Sequence, residues 1–117
     1  MRPGARTPEE LETLCEDGFV VRDGDAVAQL FEDGALLVLT GSPAQARGRG
    51  EIARVATHMC AHDLTYLADA GRVLQARSTA LVLARHGISV ARRGEDGAWR
   101  YAISLLAVDD NPDKESA

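Results

Sequence analysis

The chain is short of most things that would announce a function. It has two cysteines, Cys15 and Cys60, in 117 residues. Two thiols in a chain able to build a core do not make a disulfide framework, so both are expected buried and reduced. There is one Lys against twelve Arg, and the net charge is −5. That balance argues against a nucleic-acid partner, which needs Lys and Arg gathered against phosphates. No apolar run approaches the roughly 20 residues that span a bilayer. The N-terminal MRPGARTPEE has no apolar stretch of the secretory-signal kind. No G-x-S-x-G nucleophile motif or phosphate-binding glycine loop is present, and Gly48-Arg49-Gly50 lacks both a preceding strand and the remaining spacing. Internal repeats, low-complexity segments and a second domain are absent. The expectation is a single cytoplasmic domain with no cofactor and no membrane or nucleic-acid partner.

What is there suits a globular α+β domain. Apolar residues make up 45% and charged residues 26%, enough for one core and an internal cavity. Residues 1–6 are expected to be disordered. Thr7-Pro8-Glu9-Glu10 is a helix start, with Thr7 as cap, Pro8 in the first turn and Glu10 closing a capping box. Leu11, Leu14, Gly18 and Val21 recur at helical spacing beside Cys15, which predicts a helix from Pro8 to about Val21. Asp25 is placed to cap a short second helix, AVAQLF, that Gly34 stops. ALLVLT at 35–40 reads as a strand and GSPAQARG at 41–48 as a loop. A third helix runs from Glu51 to about Cys60, with Ile52, Val55, Ala56 and Met59 on one face.

From Leu64 to Val108 the pattern changes to strands. LTYLADAGRVLQA, TALVLA, ISVARR and WRYAISLLAV are joined by turns, the last of them GEDGA. The tail 109–117 is polar and expected to be disordered. The predicted order is α-α-β-α-β-β-β-β, with three N-terminal helices packed on one face of a curved, mostly antiparallel sheet. Within the last strand, period-two alternation puts Trp99, Tyr101, Ile103 and Leu105 on one face and Arg100, Ala102, Ser104 and Leu106 on the other.

Several short signatures over residues 7–108, in this order, resemble the SnoaL-like group of the NTF2-like superfamily. They are the TPEE helix, Gly24-Asp25 before a helix ending Leu30-Phe31, EDGALLVL, Gly48-Arg49 ahead of Ile52, RVL-x-A at 72–76 before ALVLA, and ARRGEDGAWRYAI. The resemblance implies an NTF2-like cone with a pocket between the helices and the concave sheet face, and a homodimer formed through the convex face. It also implies a wide range of activities, because this superfamily holds isomerases, cyclases, dehydratases, hydrolases and non-catalytic binding domains. The ketosteroid isomerases it resembles carry a catalytic Asp where this chain has Leu39, and a second pocket acid near Ile88. Many SnoaL-like sequences carry an acid after Tyr-x-Ile on the last strand, where this chain has Ser104.

Candidate chemistry is sparse. Asp17 sits between Leu14 and Val21 on the expected apolar stripe, so it is either a pocket-facing base or a solvated edge residue. His58, Cys60 and His62 form H-x-C-x-H, followed by Asp63. On a helix that is ending, at most two of them converge, so the run is either an incomplete metal set or a helix C-terminus favourable to His. His58 alone is a candidate acid at the pocket rim. Tyr66 could point a hydroxyl into the cavity or pack. Arg47 and Arg49 could take an anion or lie in a solvated loop.

The reading is a domain that binds a small, largely apolar molecule in an internal pocket. Its lining would come from Leu14, Val21, Phe31, Leu37, Leu39, Val55, Met59, Ile88 and Ser104. Cofactor-free isomerase, cyclase or hydrolase chemistry would use Asp17, His58 and Tyr66, with no metal. The rival reading is a non-catalytic ligand-binding or dimerisation module. An open cavity holding Asp17 and a second titratable group would favour the enzyme. A cone filled by Phe31, Leu37, Leu39 and Met59 would favour the module.

Overall fold

The computed structural model describes residues 4–40, 45–61, 70–84 and 87–107. Tyr66, His62, Asp63, the tail 109–117 and the start of the strand expected from Leu64 lie outside the described residues. The order is α1 (Pro8–Val20), α2 (Gly24–Ala28), β1 (Phe31–Thr40), β2 (Gln45–Arg47), α3 (Gly48–Ala61), β3 (Ala70–Ala76), β4 (Thr79–Ala84), β5 (Gly87–Arg93) and β6 (Trp99–Ala107). The six strands form one sheet in the order β2-β1-β6-β5-β4-β3. Every pairing is antiparallel except β1 with β6. The expected α+β architecture, with three helices on a mostly antiparallel sheet, is therefore present, with β2 added to the expected order.

Local chemistry sets the helix starts. Thr7 Oγ1 accepts the Glu10 N–H at 3.0 Å, and Pro8 occupies the first turn, where its missing N–H costs nothing. The Glu10 carboxylate takes the Arg6 N–H at 2.6 Å. The cap of α2 is Asp23 rather than Asp25: its carboxylate accepts the Ala26 N–H at 3.0 Å. The helix is short and ends before Leu30, so Phe31 already belongs to β1. Helix α3 starts at Gly48 rather than Glu51, and β2 forms inside the segment expected as loop, pairing Leu36 with Arg47 and Val38 with Gln45. Packing begins earlier than Thr7: Ala5 is fully buried and its carbonyl accepts the Trp99 N–H at 2.9 Å.

The last strand breaks the simple alternation. Ala91 pairs with Tyr101, but Val90 pairs with Ile103, so β6 carries one extra residue at Ala102. A bulge of this kind swaps the faces beyond it. Trp99 and Tyr101 point toward the helices, and so do Ser104 and Leu106. Ile103 and Leu105 turn outward, 48% and 38% exposed. The strand β1 is also irregular here, advancing five residues from Phe31 to Leu36 while β6 advances two. Arg49 holds that irregularity, donating from Nε to the Phe31 carbonyl at 2.8 Å and pairing with Asp33 at 2.7 Å. The Arg49 side chain is thus committed to the fold.

The core lies between the helices and the inner sheet face, with Leu11, Cys15, Phe19, Ile52, Met59 and Phe31 buried together. Helices α1 and α2 meet closely where Gly18 faces Val27; a Cβ there would sit 2.7 Å from Val27 Cγ2.

Candidate functional site

The buried stripe of α1 is Pro8, Leu11, Glu12, Cys15, Gly18 and Phe19. A carboxylate therefore sits in the middle of an apolar helix face, only 2% exposed. Burying an unpartnered carboxylate is costly, and such groups survive inside proteins only when hydrogen-bonded. Glu12 has that partner: Tyr101 Oη donates to Glu12 Oε2 across the helix–sheet interface, in a buried bond. The Tyr101 ring is steadied by Phe31, with centroids 5.1 Å apart and planes tilted by 45°. One helical turn along, Cys15 is also buried. Burial pushes its thiol well above the ordinary range, the nearby Glu12 charge adds to that, and a hydrogen bond from Tyr101 opposes it. Glu12, Cys15 and Tyr101 form a compact group at the junction of α1 and the inner wall. Two members exchange a proton-bearing bond, which suits proton transfer.

The residues singled out from sequence fall in three places. Phe31, Leu37 and Met59 are in the core behind this group, with Leu39 and Val55 packed against it. Leu14, Asp17 and Val21 do come together, but outside the cone. They line a groove of about 730 Å³ with Gly18, Ala26, Leu30, Trp99 and Arg100. Asp17 is exposed there and Val21 is 70% exposed. The α1 phase is the reason: the stripe read through Leu14 and Val21 is rotated from the buried one, and Val21 lies beyond the helix end. Ile88 lies on the outer sheet face, 47% exposed, because it pairs with Leu105 and not with an inward residue. The inward position at that level is Ser89. His58 is exposed on α3 while Cys60, two residues on, is buried, so the helix turns them apart. Burial raises the Cys60 thiol, and the Arg22 guanidinium acts against that shift. Tyr66 lies outside the described residues.

Ser104, expected in the lining, is on the inner wall and buried. Its Oγ is 2.9 Å from Ser89 Oγ on the neighbouring strand. The two serines pair across β5 and β6, flanked in the same row by Leu37 and Val82. Among the described residues, no group of three or more His, Cys, Asp or Glu side chains is placed to hold a metal ion. No helix there is long and apolar enough to cross a membrane.

No family model and no curated protein sequence matches the chain. Solved structures do. A candidate calcium/calmodulin-dependent protein kinase type II association domain from Thiobacillus denitrificans superposes with a TM-score of 0.74 at 17% identity, covering 92% of this chain and 99% of that one. A ketosteroid isomerase-like protein from Erwinia carotovora atroseptica gives 0.68 at 18% identity, covering 86% and 92%. An NTF2-like protein with a cystatin-like fold from Novosphingobium aromaticivorans gives 0.65 at 17% identity, covering 92% and 84%. At such identities the likeness is one of fold, and that fold is the NTF2-like cone.

Proposed function

We propose, taking the NTF2-like cone as premise, that the protein binds a small, largely apolar carbonyl compound inside the cone and moves a proton on it without a cofactor. One observation carries this reading: the buried hydrogen bond from Tyr101 to Glu12 on an otherwise apolar helix face. Ionisable groups held in apolar surroundings cluster at functional sites. Glu12 takes the base role that Asp17 held in the sequence reading. It accepts a proton from the carbon next to the carbonyl. As Glu12 becomes neutral, the Tyr101 hydroxyl is freed to donate to the developing enolate oxygen. Return of the proton to a different carbon completes an isomerisation. Tyr66, on the segment preceding β3, stays a candidate second donor, and His58 a rim acid. The ketosteroid isomerase-like neighbour lends fold-level support only.

The test is hydrogen–deuterium exchange at carbon, followed by NMR in heavy water with indanone and β-tetralone as probes. The wild-type protein speeds exchange above buffer, and Glu12→Gln slows it by about 100-fold or more. Equal rates for wild type and Glu12→Gln would sink the assignment, as would a wild type no faster than buffer.

A second reading rests on a different face. Leu74, Ile88, Ile103 and Leu105 are exposed on the outer sheet surface, and patches of this kind mark association sites. Together with the core packing of Phe31, Leu37 and Met59, this favours a module that pairs with a copy of itself through the sheet. The neighbour described as an association domain has the same fold. Pairing and ligand binding use opposite faces and can coexist.

A further inference from the structure

The groove beside α1 has no part in the chemistry proposed above. Its volume is about 730 Å³, within the range of roughly 300–1,000 Å³ typical of small-molecule sites. Leu14, Val21, Leu30 and Trp99 give it an apolar lining. Val21 is 70% exposed, apolar surface that the body of a ligand would cover. The charged groups in the lining are unequally engaged. Arg100 is neutralised, because its two terminal nitrogens donate to the two Asp96 carboxylate oxygens at 3.2 and 2.8 Å. Asp23 uses Oδ1 to accept the Ala26 N–H at 3.0 Å and so cap α2. The Asp17 carboxylate makes no hydrogen bond or ion pair among the described residues. Only its backbone carbonyl is engaged, by the Val21 N–H at 3.0 Å. The lining therefore offers carboxylate oxygen and no uncommitted cation.

Asp17 also stands where a carboxylate is poorly placed for the helix itself. It lies in the last turn of α1, a helix of 13 residues whose last turn holds no Lys, Arg or His. The final carbonyls of a helix carry partial negative charge and favour a nearby cation. Asp17 adds like charge to like. Arg22, just beyond the helix end, is directed to α3, where its Nη1 donates to the Cys60 carbonyl at 3.4 Å. It is not part of the groove lining. A cation seated in the groove would meet the Asp17 carboxylate and the negative end of α1 together.

We propose that this groove binds a small amphiphilic amine, a monocation on an apolar, ring-sized body. The ammonium donates to the Asp17 carboxylate, with Asp23 as the second acidic group at the groove. The apolar body lies along Leu14, Val21 and Leu30. A neutral analogue of the same shape keeps the apolar contacts and loses the charge-assisted bond. An anion of the same shape meets two carboxylates and an arginine that is already paired. The site is separate from the Glu12–Tyr101 group and does not depend on it.

The experiment follows backbone amide NMR shifts of the isotope-labelled full chain during titration with three indoles. These are tryptamine, its neutral alcohol counterpart tryptophol, and indole-3-acetate. Tryptamine shifts the amides of Leu14, Gly18, Ala26 and Leu30 saturably. It binds about 3- to 10-fold more tightly than tryptophol, the worth of one ion pair only partly removed from water. Indole-3-acetate gives no shift there. Asp17→Asn removes the preference for tryptamine and leaves tryptophol affinity unchanged, whereas Val21→Ser weakens both alike. Thermal unfolding of ligand-free Asp17→Asn is unchanged or slightly higher, because a negative charge has left the negative end of a helix. Equal affinities for tryptamine and tryptophol, a preference that survives Asp17→Asn, or shifts that map away from the groove would overturn the proposal. A marked fall in the unfolding temperature of Asp17→Asn would give Asp17 a structural role and overturn it too. Groove shifts that move with protein concentration in the absence of any probe would assign the groove to a second copy of the chain, with the same consequence. None of these results bears on Glu12, which is tested by carbon-proton exchange.

Discussion

On the inner face of the sheet, small or polar residues (Ser89 and Ala91 on β5, Ala80 on β4, Ser104 on β6) stand among larger buried ones: Trp99, Tyr101 and Leu106 on β6, Leu37 on β1 and Val82 on β4. On the outer face, one residue along each strand, the side chains are large and apolar. Leu36, Ile103, Val90, Leu81 and Leu74 run across five strands in one row, and Val38, Leu105, Ile88 and Leu83 in the next. Four of those outer side chains are exposed. The difference assigns two jobs to one sheet. The inner face packs against the helices and places three polar side chains, Tyr101, Ser89 and Ser104, among apolar ones. The outer face offers apolar area with no helix of the described residues on it.

Several measurements sharpen or break that contrast. The largest effect belongs under the helices: Leu11→Ala, at a fully buried position of α1, is expected to lower unfolding free energy by about 2–5 kcal/mol, read by urea titration. On the outer face, Ile88→Glu with Ile103→Glu should change the fold's stability by only about 0.5 kcal/mol. The same pair of changes should shift native mass from dimer to monomer. A wild type that is monomeric at high concentration breaks the outer half of the contrast.

The thiol of Cys15 offers a probe of the inner side. Its folded pKa is raised above the ordinary 9.0 by burial. The raised value means the folded state disfavours the thiolate, so this contribution to stability is complete below pH 9 and is lost as pH rises beyond it. Iodoacetamide should leave Cys15 unmodified in the native protein at pH 8 and label it after denaturation. The smallest effect lies in the hairpin before β6. There Arg100 and the Ala98 N–H hold the Asp96 carboxyl down at about 2. A depressed folded pKa stabilises above the ordinary carboxylate value and is lost as pH falls toward 2. Asp96→Asn should remove a minor part of the acid transition and leave neutral-pH stability almost unchanged.

The fold was largely legible because its punctuation is local. Thr7-Pro8, the GEDGA turn and the runs TALVLA and ISVARR each define an element within a few residues. The misses were of two physical kinds. The bulge at Ala102 leaves no mark in composition, yet it reverses the faces of everything after it, so Ile103 and Leu105 were read on the side of Tyr101. The buried Glu12 was missed because a carboxylate is not counted in an apolar stripe. Glu12 lies three residues before Cys15 and seven before Phe19, which is the helical spacing that marks it as buried. Its partner Tyr101 is 89 residues away in sequence, a pairing that only the folded chain makes visible. Asp17 took the role instead because Val21 was counted as helix. Ser104 was noticed as the place where an acid was expected; its bond to Ser89 was not foreseeable from either residue alone.

The central claim is that the buried Glu12–Tyr101 pair is held for a ligand and not for the fold. Buried polar pairs replaced by apolar groups of similar volume often leave a protein as stable or more so. The measurement is the unfolding free energy of Glu12→Met/Tyr101→Phe beside wild type, together with carbon-proton exchange on β-tetralone. The account predicts equal or higher stability with exchange abolished. A loss of about 3 kcal/mol or more, or a variant that still exchanges protons at the wild-type rate, would contradict it.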